Sequence, residues 1–134
     1  AAGLTGSPNI TVGTIGCGNI TSSGDISDGH GNVRKLAVRS TSSAYTLQAT
    51  DSGKFIDVSS AATITVPNGV FAAGDMVTIL NNSGSNMTLA QGGGFSMYNG
   101  LDATTGNKTM GPRSTATILF QGSANGYLSG SKIS

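Results

Sequence analysis

The sequence predicts an all-β protein, and three observations carry that prediction. Apolar residues recur at every second position in short runs, as in "ATITVP" at 62–67 and "STATILFQG" at 114–122. That period sends alternate side chains to opposite faces of a strand. The runs are separated by Gly, Asn, Ser and Asp, the residues that turns require. The stripes of Leu, Glu and Lys that mark amphipathic helices are missing: the 134-residue chain has 21 Gly and no Glu.

The amino-terminal part differs from the rest. Residues 1–32 hold sparse apolar positions, Leu4, Ile10, Val12, Ile15, Ile20 and Ile26, among Gly, Thr, Ser and Asn. The triplet Asn-Ile-Thr occurs at 9–11 and again at 19–21. Two copies are weak as a solenoid signature, since such repeats need about three units to bury a face. Alone, this run leaves its isoleucines in water and does not offset its ordering entropy. Three parallel chains would turn those side chains toward a common axis and pair backbone edges between subunits. A trimeric β shaft segment is therefore expected at 1–32; the competing reading is an unstructured linker. Residues 33–43, "VRKLAVRSTSS", form a junction, with a short amphipathic strand at 33–38 followed by a Ser/Thr loop.

From residue 44 to 134 the strand signals are dense enough for an antiparallel β-sandwich or jelly-roll-like head domain. "AYTLQA" (44–49) alternates, and Asp51-Ser52-Gly53 turns the chain into "KFIDVS" (54–59). "ATITVP" stops at Pro67, which cannot donate to a ladder. The loop at 68–75 carries Val70 and Phe71 as an apolar plug and Asp75 as a turn residue that caps its own backbone. "MVTILN" (76–81) is the most apolar strand, followed by Asn82-Ser83-Gly84 and "SNMTLAQ" (85–91). Gly92-Gly93-Gly94 permits a sharp corner before "FSMYNG" (95–100). "GNKTMG" (106–111) reads as an edge strand, "STATILFQG" as a central one, and "NGYLSG" (125–130) closes the domain. The predicted core is Leu47, Phe55, Ile56, Ile64, Val66, Phe71, Val77, Ile79, Met87, Leu89, Ile118, Phe120 and Leu128. So few large apolar residues leave an isolated subunit marginal, and self-association is the expected remedy.

Charge excludes several partners. Only 10% of residues are charged, against roughly 25% in an ordinary soluble domain, and the net charge is +1. Arg34, Lys35 and Arg39 form the one basic cluster, too small to track phosphates, so no nucleic-acid partner is expected. Apolar stretches are strand-sized, which argues against membrane insertion. The single Cys17 and the absence of a signal-peptide pattern fit synthesis in a cytoplasm.

In order and spacing, several pieces together resemble a terminal module of tailed-bacteriophage fibre proteins, especially those of cyanophages. They are Ala44-Tyr45-Thr46-Leu47, Asp51-Ser52-Gly53-Lys54, Val66-Pro67, Phe71 with Gly74-Asp75, Asn81-Asn82-Ser83-Gly84, Thr105-Gly106-Asn107 and Thr115-Ala116-Thr117. Upstream, "GLTGSPNITVGTI" and "GDISDGHGNVRKL" look like shaft and shaft-to-head segments of such fibres. The resemblance implies a non-enzymatic, homotrimeric virion protein, made in the host cytoplasm, with a β-rich head at the tip of a tail fibre. It implies contact with other virion proteins and with a host cell-surface glycan or protein. It carries no catalytic residue and no cofactor over to this chain. Related modules also decorate capsids, so the alternative is a decoration or head-fibre protein that clasps the shell through 1–32.

The candidate sites are few. His30 lies at the expected shaft-to-head junction; on a threefold axis, three copies would bring three imidazoles together with Asp28 behind them, but no ligand pair surrounds it and a surface turn is the plainer reading. Cys17 reads as a small buried hydrophobe. Gly92-Gly93-Gly94 lacks the Gly-Lys-Ser/Thr that follows in a phosphate loop. Asp51, Asp57, Asp75 and Asp102 show no spacing that specifies a glycosidase pair. Tyr98, Asn99, Leu101 and Asp102 are expected in the longest loop outside the strands, with Tyr127 near the end of the chain; aromatic faces beside Asn and Asp side chains suit sugar or protein contact. They are the receptor-contact candidates; equally, Tyr98 and Tyr127 are candidates for packing between subunits.

Overall fold

The computed structural model describes residues 24, 26–29, 31–33 and 35–134. Most of the expected shaft, with Cys17 and His30, lies outside the described residues. The described chain is nearly all β, with no α-helix among the described residues. Two short strands, β1 (Ser27–Asp28) and β2 (Gly31–Asn32), pair antiparallel ahead of the main body.

Ten strands build that body. They are β3 (Ala37–Thr41), β4 (Tyr45–Thr46), β5 (Lys54–Val58), β6 (Thr63–Val66), β7 (Met76–Asn81) and β8 (Met87–Gln91). After them come β9 (Ser96–Asn99), β10 (Lys108–Met110), β11 (Ser114–Gly122) and β12 (Asn125–Gly130), and a single 3-10 turn at Ala49–Asp51 joins β4 to β5. One sheet has the order β3-β5-β7-β11-β12-β9 and the other the order β10-β8-β6-β4. From β3 to β11 the chain alternates strictly between the two sheets. Neighbours within a sheet are then joined through a strand of the opposite sheet and return in the same direction. Hence β3, β5 and β7 run parallel, as do β4, β6 and β8.

This corrects the expectation of an antiparallel sandwich: both sheets are mixed. Among the strands of the body, β7–β11, β11–β12 and β8–β10 pair antiparallel, and Met110 makes an isolated antiparallel bridge to Ile133. A hairpin needs two consecutive strands in one sheet, and within the body only β11 and β12 meet that condition. The turn at Asn82-Ser83-Gly84 instead carries the chain across from β7 to β8. Its conformation is held by Asn81, whose buried amide donates to the carbonyls of Ser85, Met110 and Gly111 at 2.9, 3.0 and 2.8 Å, while its Oδ1 accepts from the Ser83 hydroxyl at 2.6 Å.

Both sheets contribute inward-facing side chains to one core. Twelve of the thirteen expected core residues are buried; Phe55 is the exception. Because Phe55 and Ile56 are adjacent on β5, pleating sends them to opposite faces, and Ile56 takes the core. Phe71 does plug the sandwich: its ring stacks on Phe120 at 4.1 Å between centroids, and Phe95 leans on the same ring at 5.7 Å. The glycine corner between β8 and β9 is required by close approach, since a Cβ on Gly92 would stand 2.6 Å from the Val66 carbonyl oxygen. The strand expected at 33–38 is shifted to β3, because register with β5 from Ala37↔Lys54 to Thr41↔Val58 decides its bounds. Thus part of the expected junction belongs to the large sheet as an edge strand.

That edge is fastened by a buried carboxylate. Asp51, at the end of the 3-10 turn, is fully buried and accepts from Arg39 Nε at 2.8 Å, the Tyr45 hydroxyl at 2.7 Å and the Gln48 amide at 2.8 Å. Burial by itself would push the Asp51 carboxyl up; the Gln48 amide, the Tyr45 hydroxyl and the Arg39 guanidinium outweigh it and hold it below its ordinary value. Burial and the bond to Asp51 push Tyr45 up to about 12. Arg39 also lies over the Tyr45 ring, 4.9 Å from its centroid.

Candidate functional site

Pleating leaves each sheet with an outer face, and the two are chemically unlike. On the four-stranded sheet, register places Thr63 beside Thr88 and Thr88 beside Thr109, a row of three threonines. Thr46 and Thr65, then Ala90, form the next row. On the six-stranded sheet, Met76 lies opposite Leu119, Leu119 opposite Tyr127, and Tyr127 opposite Tyr98. Those four side chains form one apolar row across β7, β11, β12 and β9. Met76, Leu119 and Tyr127 are 41%, 51% and 48% exposed. Their strand neighbours Val77, Ile118, Phe120 and Leu128 face the core, so the row points outward by the same alternation that fills the interior. A second pair, Val38 opposite Phe55, extends the apolar surface toward the β3 edge.

The tyrosines of the row stack on each other, with ring centroids 5.3 Å apart and planes at 21°. Such a pair adds roughly 0.5–1.5 kcal/mol beyond its burial and fixes both ring planes. Beside Tyr127 a depression of about 400 Å³ is lined by Ala73, Gly74, Leu119, Phe120, Gln121 and Tyr127. Its rim at 72–75 is tied by hydrogen bonds: the Asp75 carboxylate accepts from the Ala72 amide at 2.8 Å and the Ser52 hydroxyl at 2.6 Å. The capping role expected of Asp75 is the one it has.

The receptor-contact candidates separate into three environments. Tyr98 and Tyr127 lie on strands, not in a loop, and share the outer face. Asn99 is buried, with its Oδ1 accepting the Leu101 amide at 3.2 Å, so it shapes the loop from beneath. Leu101 and Asp102 occupy the connection between β9 and β10, where Leu101 is 87% exposed. Asp102 Oδ1 accepts from the Thr104 hydroxyl at 2.6 Å and its amide at 2.9 Å, and Lys108 Nζ reaches the same hydroxyl at 2.7 Å. Those Thr104 bonds, with the Lys108 charge behind them, hold the Asp102 carboxyl below its ordinary value. Ala103 adopts φ 58°, a left-handed conformation that a non-glycine residue takes at a cost of about 1 kcal/mol. The loop is thus a tied structure presenting one bare leucine and one ionised carboxylate.

Asp51 and Asp57 are the other two carboxylates of the sandwich. Asp51 has both oxygens engaged, whereas Asp57 faces outward between Ser40 and Leu80, with its Oδ1 shielded from water and without a hydrogen bond. Among the described residues no group of three or more His, Cys, Asp or Glu side chains is placed to hold a metal ion. None of the described helices is long and apolar enough to cross a membrane. The sequence reading missed the Asp51 network and the apolar row. Partners 6 and 12 residues apart along the chain gave no local signal for the network; the row was visible only as single outward positions on strands whose neighbours were unknown. No protein-family model and no curated protein matches the chain.

Proposed function

We propose that this chain is a bacteriophage virion structural protein, the carboxy-terminal part of a homotrimeric tail fibre whose sandwich is a distal module for host-surface attachment. The observation that carries the reading is the junction. Val33, Leu36 and Val38 are 57%, 50% and 61% exposed at the point where the apolar-poor sequence 1–32 leads into the sandwich. Aliphatic side chains left bare where an otherwise polar segment begins call for neighbours that arrive along the same path, as in a bundle of identical chains.

Attachment falls to the Leu101–Asp102 loop. It leaves β9, one edge of the large sheet, whereas the junction enters along β3, the opposite edge. Contact at the loop is therefore compatible with a shaft at the junction. Three loops per fibre and several fibres per particle act by effective concentration: each weak contact holds the next loop near its receptor. The surface bound is a cell-envelope glycan or protein.

Gold-labelled antibody against the sandwich, applied to particles of the phage that encodes the chain and viewed by electron microscopy, tests this assignment. Gold at the fibre tips is the expected result. Gold over the capsid shell would transfer the chain to the decoration class, and unlabelled particles would remove it from the virion.

A further inference from the structure

We infer that the outer face of the six-stranded sheet is where copies of this chain meet, with the row Met76–Leu119–Tyr127–Tyr98 at the centre of the contact. The inference rests on the self-association proposed above and names the surface that carries it. Its first support is an internal control. The two sheets have the same alternation and share one core, yet the small sheet turns threonine rows outward, whereas the large sheet, next to the outward pair Thr78 and Thr117, also carries an uninterrupted apolar row. Strand formation needs only β-favouring residues outward, and threonine meets that need in water. Met, Leu and Tyr at the equivalent positions are therefore not required by the fold. They are the residue types of an interface centre, where aromatic residues and Met are enriched and charges are depleted.

Charge selects the occupant. Among the described strand residues that face outward on this sheet, Asp57 alone is charged, and it lies outside the apolar row. Nucleic acid or an anionic membrane would need a basic surface here, and a charged protein partner would need a complement. A second copy brings an equally uncharged row, so contact centred on the row meets no like-charge repulsion. The sheet also contains the entry strand β3, so chains bundled through 1–32 arrive with this sheet adjacent to the bundle. The depression beside Tyr127 supplies a recess for a side chain of the neighbouring copy. On this assignment the tyrosine pair serves assembly, and host contact remains with Leu101 and Asp102.

The test uses the full chain. Leu119→Asp places a charge in the row, and Thr63→Asp places the same charge in the threonine row as a control. Sedimentation across a dilution series is expected to show the Leu119→Asp assembly dissociating at a concentration about tenfold or more above that of the unaltered chain, the size of loss typical of a central interface residue. Thr63→Asp is expected to match the unaltered chain. Hydroxyl-radical footprinting needs no substitution: Met76 and Tyr127 should be protected in the associated state and labelled once dilution separates the copies. Equal labelling in both states, with Leu119→Asp still associated, would overturn the interface while leaving self-association standing; the row would then be open to another ligand, such as a sugar ring. An unaltered chain that never associates would overturn both.

Discussion

The two outer faces of the sandwich were built by one rule and finished with different residues. Along β6 and β8 the outward positions are Thr63, Thr65, Thr88 and Ala90; along β7 and β11 they are Met76, Thr78, Leu80, Thr115, Thr117, Leu119 and Gln121. Threonine stiffens a strand at χ1 and keeps a hydroxyl in water, so the small sheet is complete as it stands. The large sheet exposes thioether, isobutyl and phenol groups in a line. Alternation records which positions leave the core, and the identity of the residue placed there records what it is expected to meet. Low overall charge takes on meaning in the same way, since it is the large-sheet face, rather than the threonine face, on which an apolar row stands exposed.

Perturbations of the large-sheet side should be graded. The largest effect is expected from Asp51→Ala, which leaves Arg39 and Tyr45 without their shared acceptor and frees β3 from the sheet edge. Loss of a buried pair's partner costs about 3 kcal/mol at the lower end, appropriate because Arg39 is partly exposed. Urea unfolding followed by circular dichroism measures it; a change below about 0.5 kcal/mol, the size of an ordinary surface substitution, would show that the edge does not depend on this carboxylate.

The same group sets a pH dependence. Its folded pKa lies below the ordinary 3.8, so its contribution is present above that value and lost as pH falls through the folded pKa. Acid should therefore weaken the domain below about pH 4, and Asp51→Asn should flatten that limb of the stability curve. Tyr45 acts oppositely. Its pKa is raised from 10.0 to about 12, so its contribution holds below pH 10 and fades as pH rises through 12. Thermal melts of Tyr45→Phe at high pH should lack the second decline.

Next in size is Asn81→Ala, which removes the donor shared by three buried or half-buried carbonyls and is expected to cost about 2 kcal/mol. Ala103→Gly should instead stabilise the domain by about 1 kcal/mol, because glycine takes φ 58° without strain. The smallest folding effect, and the sharpest for the comparison, comes from the double change Met76→Thr and Leu119→Thr, which leaves the stacked tyrosines in place. It gives the large sheet a face like the small one, and should move the folding stability of the separated subunit by no more than about 0.5 kcal/mol per site. Association, read by light scattering, should weaken markedly. If association is unchanged, the difference between the faces has no part in assembly.

Much of the architecture was legible because it is local. The strands, the Phe71 plug, the Asp75 cap, the glycine corner at 92–94 and the edge position of β10 follow from pleating, turn chemistry and proline. Strand direction was not legible. Asn82-Ser83-Gly84 reverses the chain whether it closes a hairpin or arches to the opposite sheet, and nothing within those residues distinguishes the two. Phe55 was misplaced because both it and Ile56 are large and apolar; only the parity of Val58, buried in the same strand, separates them. For the candidate site, the sequence offered Tyr98 and Tyr127 only as aromatic residues near a loop; they became a stacked pair through the parallel pairing of β9 with β12, a long-range fact. The Leu101–Asp102 loop was visible from its polar composition, whereas its bracing by Thr104 and Lys108 required the fold.

The most direct measurement of the central claim is the mass of the intact chain in solution over a wide range of dilution. Sister copies that cover the junction and the large-sheet face predict a particle of about three times 13.3 kDa that persists through most of that range and separates only at the highest dilutions. A folded, stable species of 13.3 kDa at every concentration would contradict it.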